Sequence, residues 1–351
     1  GRPGLRDRID RRGVCNRRPD GRRIGHLFAA HTAITDTGNG MKLGSLRLNG
    51  KETVVARLDD TTGVALEVAT MLELIGAGQR GLDAAASAID RAVAGSLPTI
   101  ELANADWLPP NPRATKVVGC ALNNENVNTT AHRAVASPIF FMKARSAMTG
   151  HGKPIRIRAR HGFTVPEPEP AVVLRDTIRD ANEDTVLDHG FGYTVINDCT
   201  ANGIKFGEDA VALNQEPSRI HEHQMAWRHR FADDNYVFVI FNARSKSADS
   251  FAPMGPWITT ADEMPDPDQL RIRGYVDGVN YTDDSTSSYL FSVARVIAEA
   301  SAWFTLEAGD CVATGTGGRG TDAFPGGPPS VDLRQYAVTD VEVSGLCRLS
   351  N

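Results

Sequence analysis

From Met41 onward the chain alternates apolar with polar positions. Leu43, Leu46 and Leu48, then Val54, Val55 and Leu58, flank Asn49-Gly50, a dipeptide suited to a tight hairpin, so a short meander is predicted there. Helical spacing takes over at Val64 to Ile75 and again at Leu82 to Val93, separated by Gly76-Ala77-Gly78. Trp107-Leu108-Pro109-Pro110-Asn111-Pro112 then breaks every period and reads as a connector. A small N-terminal domain over 41–112 is therefore expected before a larger one over 113–351. Beyond the connector, short apolar runs recur at Lys116 to Leu122, Pro138 to Lys143, Ala171 to Leu174, Gly192 to Asp198 and Asn235 to Phe241. One late helix is predicted, with Ser285-Thr286 as its cap and Leu290, Val293, Val296 and Ile297 on one face. Many short strands and few helices predict an α+β fold that is mostly β.

Residues 1–40 differ from the rest: arginine-rich, without lysine, and with little apolar periodicity. They read as a tail outside the fold. No apolar run suits secretion, and Asp7, Asp10 and Asp20 argue against a mitochondrial transit peptide. Met41 looks like a natural start; a basic arm for an acidic partner is the alternative reading of what precedes it. A net charge of −5 and a pI near 6.0, with no basic stripe through the remainder, direct expectation away from nucleic acid and toward a small-molecule partner. No stretch is long and apolar enough to suggest a membrane span. Cys15, Cys120, Cys199, Cys311 and Cys347 are scattered, without a C-x-x-C pair, which predicts a reducing cytoplasm and buried thiols.

Concentrated chemistry first appears at Val165-Pro166-Glu167-Pro168-Glu169-Pro170. In an extended chain Glu167 and Glu169 share a face and can converge on one cation, while the prolines, lacking N–H groups, predict a sheet edge or lip. A polyproline II linker, with its threefold period, is the alternative and would separate the two carboxylates. Asp198 ends the apolar run Gly192-Tyr-Thr-Val-Ile-Asn. A carboxylate there is costly to bury unless paired or metal-bound, so it is the natural third ligand; capping the next turn is its other reading.

The order of motifs resembles the fumarylacetoacetate hydrolase family: Pro-Ile-Phe-Phe-Met-Lys143, Glu167-x-Glu169, Gly-Tyr-Thr-Val-Ile-Asn-Asp198, Lys246-Ser-x-Asp-Ser-Phe-Ala-Pro-Met-Gly-Pro-Trp257, and Thr305-Leu-Glu-Ala-Gly-Asp-Cys-Val-Ala-Thr-Gly-Thr316. The resemblance covers about Lys116 to Asn351. It implies a mixed β-sandwich roll with a smaller N-terminal domain, a homodimer, and magnesium, manganese or calcium on Glu167, Glu169 and Asp198. An all-oxygen anionic site suits such hard cations. It also implies that Lys246 is the active-site lysine, and Lys143, Gly315 and Thr316 are expected at the substrate. A plain tight turn is the alternative for Thr314 to Gly318.

The chain departs from the family pattern at several points. Gly317 stands where Pro is usual. In one register Asn124, Val127 and Thr130 replace the residues that activate water; in the register of the animal enzymes Glu125 becomes a metal ligand and His132 the base. Asn202 replaces a substrate-reading arginine. The segment between Asn202 and Lys246 is longer than usual and contains His221, His223 and His229, a lid or dimer-contact loop with a zinc site as the alternative. The expected activity is metal-dependent hydrolysis of a carbon–carbon bond in a 2,4-dioxo acid. Its rivals are a metal-enolate lyase of the same superfamily (dehydratase, decarboxylase or isomerase) and an inactive binding homologue.

Overall fold

The structure is a computed structural model and describes residues 41–129, 131, 135–213, 238–264 and 266–351. It is built on a ten-stranded mixed sheet. In spatial order its strands are Thr99–Glu101, Thr62–Ala65, Lys51–Arg57, Lys42–Leu48, Trp257–Thr260, Gly190–Asn197, Pro168–Leu174, Cys311–Ala313, Val117–Ala121 and Ile139–Lys143. Every pairing is antiparallel except that between Cys311–Ala313 and Val117–Ala121. A four-stranded antiparallel sheet, Val279–Ser285, Arg271–Val276, Thr339–Val343 and Cys347–Ser350, packs on one face.

Alternation along the central strands generates the layers. Val172, Tyr193, Val195 and Trp257 enter the core shared with Ile272, Val341, Val343 and Leu349 of the smaller sheet. Their neighbours Val173 and Ile258 face the other way, as does Phe191 at an irregularity between Gly190 and Gly192, onto Met71, Leu74 and Ile75 of the N-terminal helices. The fold is thus an α+β, mostly β sandwich roll with helices on its outer face. Trp257, fully buried, meets Trp107 edge to face with centroids 4.7 Å apart, an arrangement worth about 0.5–1.5 kcal/mol beyond burial.

The hairpin forms as its sequence predicts, Asn49 and Gly50 both having positive φ between Leu48 and Lys51. The first helix begins only at Met71, capped by Thr70, because Val64 belongs to the strand Thr62–Ala65 that pairs with Lys51–Arg57. The second spans Gln79–Val93. Ser285 caps a single short turn, Thr286–Ser288; the late helix, Val293–Trp303, is capped by Ser292 and buries Val293, Val296, Ile297 and Ala300, while Leu290 precedes it, half-exposed. Of the run read as a strand from Asn235, residues 235–237 lie outside the described residues; Phe238–Ile240 is a strand.

The glutamate-bearing stretch departs most from expectation. Pro168–Leu174 is an interior strand, between Gly190–Asn197 and Cys311–Ala313. The prolines are tolerated because Cys311–Ala313 ends opposite Ala171. Beyond that point Pro170 and Pro168 are met by a loop, whose Thr314 and Gly317 N–H groups donate to their carbonyls at 3.2 and 3.0 Å, so a proline donor is not needed there. The N-terminal strands join the same sheet through Lys42–Leu48 against Trp257–Thr260, so the described residues form one compact unit. Among the described residues no helix is long and apolar enough to cross a membrane.

Candidate metal centre

Register brings three carboxylates together. Pro168 pairs with Asn197, which sets Glu167 opposite Asp198, whose N–H donates to the Glu167 carbonyl at 2.8 Å; Glu169 lies two residues along, on the same face. Ligand oxygens of Glu167, Glu169 and Asp198 lie within 4.8 Å of one another. Glu169 and Asp198 are buried and Glu167 is half-buried. The Glu167 carboxylate accepts from Thr200 Oγ1 at 2.7 Å, and its N–H donates to Asn197 Oδ1 at 3.0 Å.

Lys246 ends the short helix Ala243–Lys246 and is buried. Its Nζ donates to Glu167 Oε2 at 2.7 Å and to Asp198 Oδ2 at 2.6 Å, and lies 4.4 Å from the centroid of the Phe141 ring. Burial disfavours its charge, but Asp198 and Glu167 outweigh that and raise its pKa. Phe141 reaches this position because Gly119, across the strand pair, has no side chain: a Cβ there would sit 2.2 Å from the ring.

Lys143 does not face a substrate. Its buried Nζ donates to the carbonyls of Cys199 (3.1 Å), Lys246 (2.6 Å) and Phe251 (2.7 Å), and pairs with Asp198 Oδ1 at 2.5 Å. An ammonium has three protons, and these partners use them all. Lys143 therefore corrects the expectation of a substrate contact: it holds Asp198 and the backbone around Lys246. Burial resists ionisation of Asp198, yet Lys143 and Lys246 hold its carboxyl below the usual range. Among the described residues Glu169 has no lysine in ion-pair contact. Burial, then the charges of Asp198 and Glu167, push its carboxyl well above the usual range.

Three carboxylates against two lysines leave the buried cluster one negative charge in excess when all are ionised. That excess and the all-oxygen donors fit a hard divalent cation. Glu125 does not join them; it is exposed at the start of the helix Glu125–Asn128. The reason is local: Asn124 caps that helix and is held by its Nδ2 to Asp284 Oδ2 at 3.0 Å. His132 and the histidines 221, 223 and 229 lie outside the described residues.

Glu167, Glu169 and Lys246 line a cavity of about 420 Å³, with Asp198 behind them and walls that include Leu122, Val127, Phe141, Val165, Ile240 and Pro328. Gly315 (φ 131°) spends its N–H on Glu169 Oε2 at 3.1 Å, so this amide orients the carboxylate and is not offered to a substrate, correcting a second expectation. Thr316 does line the cavity. Two residues missed by sequence reasoning matter here. Buried Asp284 accepts from Asn124, from Gly318 N at 2.8 Å and from Arg319 N at 2.9 Å, tying the two cavity walls together. Lys205, three residues beyond Asn202 and lining the cavity with it, was within reach of the sequence, as the next cation after the lost arginine.

Solved structures share the fold. A fumarylacetoacetate hydrolase from psychrophilic Exiguobacterium antarcticum is 26% identical with a TM-score of 0.64, covering 89% of this chain and 98% of that one. A maleylpyruvate hydrolase from Sphingobium sp. SYK-6, solved with manganese(II) and pyruvate, is 23% identical with a TM-score of 0.62, covering 88% and 97%, a likeness of fold. A Burkholderia ambifaria protein with a provisional hydrolase name is 31% identical over 205 residues, 58% of this chain; the match spans 62% of that relative's length. The profile of the fumarylacetoacetate (FAA) hydrolase C-terminal region matches residues 116–351, and the chain belongs to the fumarylacetoacetate hydrolase family.

Proposed function

We propose that this family member is a divalent-metal-dependent hydrolase cleaving a carbon–carbon bond in a 2,4-dioxo acid. The observation that carries the reading is the meeting of Glu167, Glu169 and Asp198 with Lys246 at the floor of a largely apolar cavity. Those carboxylates would hold magnesium, manganese or calcium, which supplies a Lewis acid for the substrate's carboxylate and 2-oxo oxygens. Lys246 adds a fixed positive charge that stabilises the negative charge developing on the 2-oxo oxygen as the bond breaks. Lys143 keeps Asp198 ionised and in place, Gly315 N–H orients Glu169, and Thr316, whose hydroxyl donates to the Gly317 carbonyl at 3.2 Å, would turn that proton to the substrate on binding. His132 takes the proton from the attacking water, a role given by resemblance. The same resemblance leads us to expect a cytoplasmic homodimer, and light scattering tests its oligomeric state.

A second reading keeps enolate chemistry without hydrolysis: dehydration, decarboxylation or isomerisation of a 2-oxo acid. It is favoured by the turn after Ala121, where Asn124 is held by Asp284, Glu125 is exposed and Val127 lines the cavity, so none of these three brings a base to the cavity. The test is mass spectrometry of products from acylpyruvates and 2-oxo-3-deoxy sugar acids with manganese, for wild type and His132→Ala. Hydrolysis predicts pyruvate and a carboxylic acid from wild type, activity falling on acidification through about pH 6.5 if the histidine is unperturbed, and loss of cleavage in the variant with manganese affinity unchanged. Full cleavage by His132→Ala would leave the lyase reading.

A further inference from the structure

Three lysines stand at the cavity or its floor, and they differ in how far their donors are used. Lys143 is saturated by three carbonyls and Asp198. Lys246 is bound between Glu167 and Asp198. Lys205, half-buried at the end of the helix Asn202–Lys205, has no hydrogen-bond or ion-pair partner among the described residues. Its Nζ lies 5.3 Å from the centroid of the Phe206 ring, and Phe206, also on the cavity wall, is 63% exposed; of the two lysines lining the cavity, half-buried Lys205 is the nearer to solvent, Lys246 being 3% exposed.

We propose that Lys205 binds a second carboxylate, at the far end of the substrate, and so selects dicarboxylic over monocarboxylic oxo acids. The inference rests on the metal-dependent reading above and adds the class of substrate. Charge balance carries it. Glu167, Glu169 and Asp198 against Lys143 and Lys246 leave one negative charge; a bound dication turns this to one positive, and Lys205 makes it two. One carboxylate at the floor offsets half of that. The remaining positive charge sits on Lys205, in a cavity whose lining includes Val165, Phe206 and Ile240, where an unpaired ammonium is costly and an incoming carboxylate gains most. Burial and the nearby charge of Lys246 depress the Lys205 pKa and outweigh the opposing pull of Glu167 and Asp198. Asn202, one turn earlier on the same wall, offers an amide beside it.

The experiment uses matched probes that differ only at the far end: 2-oxoglutarate against 2-oxopentanoate, and 2-oxoadipate against 2-oxohexanoate. Each is titrated calorimetrically into the manganese-loaded full chain, for wild type, Lys205→Met and Lys205→Arg. Wild type should bind the diacid of at least one pair about ten- to a hundredfold more tightly, the range of one charge-assisted hydrogen bond. Lys205→Met should bring that ratio near one, and Lys205→Arg should retain a preference. An unchanged ratio in Lys205→Met overturns the inference, as does wild type binding both members of each pair equally. Wild type that binds no oxo acid at all with manganese overturns the parent reading and this inference with it.

Discussion

Replacing Lys246 with Met keeps most of the stem and a polarisable tip beside Phe141 but removes the charge between two carboxylates. The substitution deletes ion pairs of 2.7 Å to Glu167 and 2.6 Å to Asp198, with side chains 4%, 19% and 1% exposed for Lys246, Glu167 and Asp198. Breaking such a buried pair by deleting one partner costs about 3–5 kcal/mol, because the remaining charges are left facing each other. At the lower end of the usual conversion, about 2 °C per kcal/mol for a large domain, the melting temperature in the presence of a chelator should fall by about 6–10 °C. The lysine therefore has a structural role beside the proposed chemical one, which sequence reasoning does not reveal. Manganese should recover much of this loss, since its charge meets the same carboxylates, while turnover at saturating metal stays about a hundredfold down. Thermal melts with chelator and with manganese, alongside turnover, separate the two roles. A melting temperature in chelator within about 1 °C of wild type would refute the pairing; normal turnover would refute the catalytic role.

Glu169→Gln should act in the opposite direction on stability. Burial and the charges of Asp198 and Glu167 raise the Glu169 pKa, so the metal-free wild type binds more protons here than the unfolded chain does, and its stability falls as pH rises from the ordinary glutamate value through the raised one. The glutamine variant should lack this slope and melt higher than wild type at neutral pH in chelator, while manganese affinity by calorimetry drops at least tenfold; parallel pH profiles would refute the assignment. Gly119→Ala puts a Cβ 2.2 Å from the Phe141 ring, so the ring must leave its place under Lys246, at a cost of about 1–3 kcal/mol in chemical denaturation and with reduced turnover. Wild-type stability and rate would show that the ring is free to move.

The parts of this site visible in the sequence are those fixed by local period. Glu167 and Glu169 share a face because a strand repeats every two residues, and Asp198 stands out as a carboxylate ending an apolar run. What could not be read depends on partners far along the chain. Lys143 looks like a substrate lysine until the carbonyls of Cys199, Lys246 and Phe251, more than fifty residues away, take its protons. The prolines suggested an edge, whereas an interior strand accepts them where its neighbour stops at Ala313. Ser285 and Ser292 both suit a helix start; only packing against the sheet decides that the helix follows the second. Glu125 has the right spacing for a ligand, but the tether of Asn124 to Asp284, 160 residues on, fixes a turn that leaves it in solvent.

The pairing of Lys42–Leu48 with Trp257–Thr260 makes the unit of folding larger than the segment that the family profile matches. The family profile begins at residue 116, yet a protein cut there would lose the partner that occupies one side of Trp257–Thr260, leaving that strand as a raw edge beside the strand whose end leads into Asp198. Leu43, Val54, Met71, Leu74 and Ile75 would leave as well, uncovering Val173, Phe191 and Ile258. The segment before the profile match is thus a permanent chaperone of the carboxylate-bearing part, and swapping it between relatives requires matching one strand register and one greasy face.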